Sequence, residues 1–88
     1  MFELWDSDSR NMVDSYRSAM VVEEYLLHIA REHGPSALRR FFLSYEGENE
    51  QDDALIGEGE AMLVAIKRLA ATEREEASRA TGPDRRVG

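Results

Sequence analysis

Hydrophobic positions along the chain follow two spacings, which predict a mixture of helices and strands. Over residues 18–33 the apolar residues recur at i, i+3, i+4, i+7 and i+8, which places them in one stripe on a helix. The stripe comprises Val22, Tyr25, Leu26, Ile29 and Ala30. Gly34 suits the left-handed position after a helix, and Pro35 blocks continuation. We therefore expect a helix that ends at His33, with Ser18 as its N-cap.

Short segments on both sides of this helix have the pattern of strands. Residues 2–5 and 12–16 alternate loosely between apolar and polar, and residues 6–11 between them have a turn composition, so a β-hairpin is predicted. After Pro35, residues 36–40 favour one helical turn. The aromatic density over residues 40–46 favours a third strand. A polar, acidic loop then leads to a short fourth strand at residues 54–56.

A second amphipathic helix is predicted to begin near residues 58–60, after a turn containing Gly57 and Gly59. Its stripe comprises Met62, Ala65, Ile66 and Leu69, widened by Leu63 and Val64. The apolar signal stops near Ala71. The pattern predicts a single α+β domain over residues 1–71, followed at residues 72–88 by a polar C-terminal helix extension and, from residue 81, a disordered tail.

The predicted order of elements is ββαββα, which divides into two ββα halves at residues 2–34 and 38–71. Antiparallel strands in this order predict an α+β two-layer sandwich, with a four-stranded antiparallel sheet and both helices on one face. The other face of the sheet would be left to solvent or to a partner.

The pattern leaves open which sheet face the helices cover. Phe2 and Leu4 point to one side of a strand and Trp5 to the other, so Trp5 is either an exposed binding anchor or a residue buried beneath a helix. Phe41 and Phe42 pose the same question. We expect the open face or a sheet edge to be buried in a homodimer or against another protein. The candidate contact residues are Trp5, Phe41, Phe42, Tyr45, Glu48, Glu50, Asp52 and Asp53.

Charge and composition narrow the function classes. The 88 residues include 18 acidic residues against 11 Lys and Arg, for a net charge of −7, which disfavours direct binding to nucleic acid or to an anionic membrane. There is no cysteine, and hence no disulfide framework or thiol nucleophile. The first residues lack the features of a signal peptide, and no apolar run approaches a membrane span, so we expect a cytoplasmic protein.

No motif predicts catalytic, cofactor-binding or metal-binding residues. The turn from Asp6 through Asp8 begins like a calcium loop, but Arg10 occupies a ligand position. His28 and His33 are five residues apart, about 140° around a helix, and so do not form a ligand pair. Nucleophile-elbow, phosphate-loop and dinucleotide fingerprints are absent from the sequence. We expect a protein that is not an enzyme.

Four short segments carry a resemblance to a widespread group of small bacterial proteins of unknown function. They are Phe2-Glu3-Leu4-Trp5-Asp6, Asn11-Met12-Val13, His33-Gly34, and Ile56-x-Glu58-Gly59. The likeness covers residues 2–65. The chain departs from that group at the hairpin turn, where the usual glycine is missing, and at the first helix, which opens Ser-Ala-Met-Val-Val in place of Thr-Glu-Glu-Glu-Ala-Leu. The resemblance implies no catalytic residues.

The hairpin leading into a helix is also distantly similar to the N-terminal domain of HicB-type antitoxins. That resemblance implies an antitoxin-like or regulatory component that neutralises a basic protein partner through the acidic loop at residues 46–53. Of the two hypotheses, the sequence favours a non-enzymatic protein-interaction or self-associating module, whose partner is another protein or a second copy.

Overall fold

The computed structural model describes the backbone of residues 1–87 and the side chains of residues 1–79. Its elements are β1 (Phe2–Asp6), β2 (Met12–Tyr16), α1 (Ala19–His33), a 3-10 helix (Pro35–Arg40), β3 (Phe41–Tyr45), a 3-10 turn (Glu50–Asp52), β4 (Ala54–Glu58) and α2 (Glu60–Val87). The predicted order ββαββα is confirmed. The sequence predicts disorder for residues 81–88. The side chains of these residues, and the whole of Gly88, lie outside the described part of the structure.

The four strands form one antiparallel sheet in the order β2-β1-β3-β4. Both helices pack on the same face, so the α+β two-layer architecture predicted from the sequence is confirmed. The edge strands are β2 and β4, and each contains a β-bulge. Val13 is the extra residue in β2, and Ile56 is the extra residue in β4.

The hydrophobic core lies between the sheet and the helices, and it decides which sheet face is covered. Phe2 and Leu4 of β1 are buried beneath the helices, as is Leu43 of β3. The buried hydrophobic residues are Phe2, Leu4, Ala19, Val22, Leu26, Ile29, Leu38, Leu43, Met62, Ile66 and Ala70. Because side chains alternate along a strand, Trp5 points to the opposite face.

The buried stripe of α2 differs from its prediction. Met62, Ile66 and Ala70 are fully buried at i, i+4 and i+8, whereas the predicted member Leu69 is 38% exposed and Val64 is 56% exposed. The helix therefore faces the core with residues spaced i, i+4 and i+8. This buried face is rotated around the helix axis relative to the face that Val64 and Leu69 predicted. Apolar size alone does not decide which of two adjacent positions faces inward.

Strand β4 runs two residues beyond its predicted end and includes Gly57, which the sequence indicated as part of a turn. A Cβ atom at Gly57 would lie 2.8 Å from the Cα atom and 2.9 Å from the backbone nitrogen of Met62. Only glycine therefore lets the first turn of α2 approach the strand this closely. Because of this close approach, a single residue, Gly59, connects β4 to α2. Gly59 has a positive φ of 58°.

The N-terminus of α1 is capped by a residue from α2. Ser18 is the N-cap, as predicted, and its side chain accepts from the backbone N–H of Met20 at 3.2 Å. The Glu73 carboxylate also accepts from the Ser18 hydroxyl at 2.7 Å and from the backbone N–H groups of Ala19 at 2.7 Å and Met20 at 3.1 Å. Glu73 thus satisfies free N–H groups at the positive end of the helix dipole, where α1 itself has no acidic residue.

A second contact between the helices lies next to this cap. The Arg74 guanidinium donates to the carboxylate of Glu23, which is the buried charged residue of α1. Pairing compensates the cost of removing this carboxylate from water. Both Glu73 and Arg74 follow the position at which the apolar pattern of α2 ends.

Membrane crossing requires a long, apolar helix, and none of the helices in the described part of the chain meets that requirement.

Candidate protein-contact face

The side of the sheet that faces away from the helices, here called the open face, is defined by strand alternation and register. Trp5 pairs with Phe42 on β3 and with Met12 on β2, and Glu3 pairs with Ser44 on β3 and with Ser15 on β2. On β4, Leu55 pairs with Ser44 and Glu58 with Phe42. The open face therefore consists of Glu3, Trp5, Met12, Ser15, Phe42, Ser44, Leu55 and Glu58.

Two stacked aromatic rings lie at the centre of the open face. The rings of Trp5 and Phe42 are nearly parallel, at 3°, with centroids 6.0 Å apart. The indole N–H of Trp5 donates to the hydroxyl of Ser44 at 3.1 Å, which fixes the orientation of the ring. The guanidinium of Arg10 lies 5.9 Å from the centroid of Phe42, within the range of a cation–π contact. We call the rings of Trp5 and Phe42, together with the guanidinium of Arg10 that lies over Phe42, the aromatic row.

Exposed aliphatic side chains extend this apolar surface on both sides. Met12 on β2 is 48% exposed, and Leu55 on β4 is 61% exposed. In an antiparallel sheet with one solvated face, that face is usually polar. Apolar residues on all four strands of this face instead form a surface suited to contact with another molecule.

A shallow depression of about 600 Å³ lies beside the aromatic row. We call it the acidic depression, because Glu3, Glu46 and Asp53 line it together with Trp5 and Leu55. Partial burial raises the pKa of Glu3 above its usual 4.5, and the neighbouring carboxylate of Glu46 raises it further. The carboxylate of Glu46 thus lies close enough to Glu3 to disfavour the ionised state of Glu3.

The structure separates the sequence-predicted contact residues into three groups. Trp5 and Phe42 lie on the open face, whereas Phe41 and Tyr45 point to the covered face and pack against the core. The ring of Tyr45 meets that of Phe2 edge-on at 5.0 Å, although Tyr45 also borders the acidic depression. Phe41 and Phe42 therefore lie on opposite faces of the sheet, as strand alternation requires.

The acidic loop forms the third group. Glu48, Glu50, Asp52 and Asp53 are all exposed at one end of the sheet. Asp53 accepts from the backbone N–H of Gly47 at 2.9 Å, which closes the loop. Of these four residues, Asp53 is the one that reaches the acidic depression.

Several residues of the surface were not singled out from the sequence, namely Glu3, Arg10, Met12, Ser44 and Leu55. The signal that could have found Glu3 is its spacing of two residues from Trp5, which places both on one side of β1. Which residues of β2, β3 and β4 lie on the open face depends on the strand register. The register is set by long-range pairing and by the two bulges, which the local sequence does not show.

The open face provides aromatic stacking, a cation–π contact and carboxylate acceptors, all of which act in non-covalent recognition. Within residues 1–79, no group of three or more His, Cys, Asp or Glu residues is positioned to hold a metal ion.

Comparison of the chain with known proteins gives no match to a family model, to a curated protein or to a solved structure. The two motif resemblances therefore stay predictions, and the functional interpretation depends on the geometry of the open face.

Proposed function

We propose that this chain is a non-enzymatic protein-interaction module that binds its partner through the open face. The observation that carries the proposal is the stacked pair of Trp5 and Phe42, which lies on the sheet face opposite the two helices. Tryptophan is enriched among the residues that dominate binding energy, because it offers a large rigid surface with one polar handle. The proposed setting is the cytoplasm, and the partner is a protein.

Binding through a sheet edge is less favourable than binding through the face. An added strand needs a regular row of free N–H and C=O groups along the edge. Both edge strands are interrupted, β2 at Val13 and β4 at Ile56. Bulges of this kind protect sheet edges from pairing with other chains, which supports the open face over an edge as the contact surface.

Replacement of Phe42 by threonine should remove binding while preserving the fold. Threonine retains a strand-forming side chain but deletes the ring on which Trp5 stacks. We expect the partner recovered with tagged wild-type chain from extracts of the source cell, quantified by mass spectrometry, to fall at least about tenfold with Phe42→Thr, as loss of a central aromatic anchor implies.

The matched control is Val64→Thr, which changes an apolar residue of 56% exposure on the outer side of α2. This variant should recover the partner at the wild-type level. Circular dichroism establishes that both variants are folded. Equal recovery by wild type and Phe42→Thr would contradict the proposed surface.

The acidic loop supports a second candidate, an antitoxin-like component that neutralises a basic protein. The observation in its favour is that the loop places Glu48, Glu50 and Asp52 together in solvent. Substituting these three by their amides in the same recovery experiment separates the candidates. Loss of the partner with this variant, and retention with Phe42→Thr, would favour the loop over the open face.

A further inference from the structure

We infer that the occupant of the open face is a protein segment carrying both apolar and basic side chains, with a lysine or arginine of that segment lying in the acidic depression. The inference rests on the proposed function and specifies the chemistry of the partner. The apolar side chains would cover the aromatic row, Met12 and Leu55, and the basic side chain would reach the carboxylates beside them.

The charges on and beside the open face favour a basic partner. Glu3 and Glu58 are on the face, and Glu46 and Asp53 border it at the acidic depression. The positive side chain in contact with the face is Arg10, which already lies over the ring of Phe42 at the other end of the strands. The depression thus has an unbalanced set of carboxylates, although the amino group of Met1 is nearby and donates to the Glu46 carbonyl at 2.7 Å.

Crowding of these carboxylates is a cost that a cationic side chain relieves. The pKa of Glu3 is raised first by partial burial and then by the neighbouring carboxylate of Glu46. A guanidinium or ammonium group placed between Glu3 and Glu46 would favour the ionised form of Glu3 and pair with the carboxylate of Glu46. Complementary charge of this kind selects among partners and accelerates their encounter more than it adds affinity.

The dimensions of the surface match a long basic side chain. Trp5 and Glu3 lie two residues apart on one side of β1, a separation of about 7 Å. Lysine and arginine lay their aliphatic stems along apolar surfaces and keep the charged head near polar groups. A stem packed between Trp5 and Leu55 would therefore place its charge at the carboxylates of the depression.

The same charges disfavour a second copy of the chain as the occupant. Each copy carries a net charge of −7, so two copies repel one another before contact. Packing two open faces together would also bring their carboxylates into a shared interface with few cations to pair them.

The test is selection from a random peptide library displayed on phage, with immobilised wild-type chain as the target. We expect the recovered sequences to be enriched in lysine and arginine next to aliphatic or aromatic residues, with aspartate and glutamate depleted. Selection on Phe42→Thr should lose this enrichment. Selection on Glu3→Gln should retain the apolar preference but reduce the basic one. Glu32→Gln, at an exposed position on α1, is the matched control and should behave as wild type.

A strongly enriched peptide is then titrated by calorimetry, alongside an analogue in which neutral citrulline replaces arginine. The arginine peptide should bind at least about tenfold more tightly, and the preference should shrink in high salt. Equal affinity of the two peptides, or enrichment of apolar residues alone, overturns the basic partner while leaving the open face as a binding surface. Enrichment unaffected by Phe42→Thr, or no enrichment, counts against both proposals. A wild-type dimer in sedimentation equilibrium that Phe42→Thr converts to a monomer would identify a second copy as the occupant and overturn the inference.

Discussion

Replacing Leu43 with alanine is expected to lower the free energy of unfolding by about 3 to 4 kcal/mol. Leu43 is fully buried at the centre of the sheet, on the face covered by the helices. Truncation removes its apolar contacts and leaves a cavity that a closely packed core closes only in part. A domain of this size has a total stability of roughly 5 to 10 kcal/mol, so the loss is a large fraction of it. Urea unfolding followed by circular dichroism measures the change.

The matched control is Leu55→Ala, the same chemical change on the neighbouring strand. Leu55 is on the open face and 61% exposed, so its truncation should alter the free energy of unfolding by no more than about 0.5 kcal/mol. A similar loss for both variants would contradict the assignment of the two sheet faces.

Replacing Glu73 with glutamine is expected to destabilise the protein by roughly 1 to 2 kcal/mol at pH 7. Glutamine retains the length of the side chain but removes the negative charge at the N-terminus of α1. Burial alone would raise the pKa of Glu73, but the hydrogen bonds from Ala19, Ser18 and Met20 outweigh it and hold the pKa below 4.5. A carboxyl group with a lowered folded-state pKa contributes stability that is complete above its unfolded pKa.

The pH dependence gives this prediction a second readout. The stability difference between wild type and Glu73→Gln should be constant above about pH 5.5. It should shrink as the pH falls through the unfolded pKa near 4.5 towards the lower folded pKa. Glu75→Gln is the control. Glu75 forms an exposed i,i+4 pair with Arg79, so this substitution should cost less than about 0.5 kcal/mol. A difference that grows as the pH falls would contradict the capping role.

The sequence predicted the secondary structure well where the pattern was local. The stripe on α1, its stop at Gly34 and the position of β2 all depend on residues within a few positions of one another. Strand β4 was predicted to end too early because Gly57 has the composition of a turn. Its actual role follows from the approach of Met62, which only the folded chain reveals.

Two features of the candidate site could not be predicted because they depend on distant residues. Apolar residues occur on both sides of β1, so alternation alone did not show whether Trp5 or Leu4 faces the helices. Packing of both helices on the side of Leu4 and Leu43 decides this. The cap from Glu73 joins residues more than fifty positions apart, a separation that no local capping motif covers.

Under the proposed function, folding and binding depend on opposite sides of the same strands. On β3, Leu43 stabilises the core while its neighbour Phe42 stacks on the half-buried Trp5 on the open face. Substitutions on the open face should therefore change recognition with little effect on stability, and those on the covered face should do the reverse.

Acrylamide quenching of Trp5 fluorescence reports directly whether a partner covers the open face, because Trp5 is the single tryptophan of the chain and lies on that face. In the free protein, the emission should be quenched readily. Saturation with a library-selected peptide should lower the quenching constant at least about threefold and shift the emission to shorter wavelength, as burial of a partly exposed indole requires. An unchanged quenching constant on saturation, or an indole already shielded in the free protein, would contradict binding through the open face.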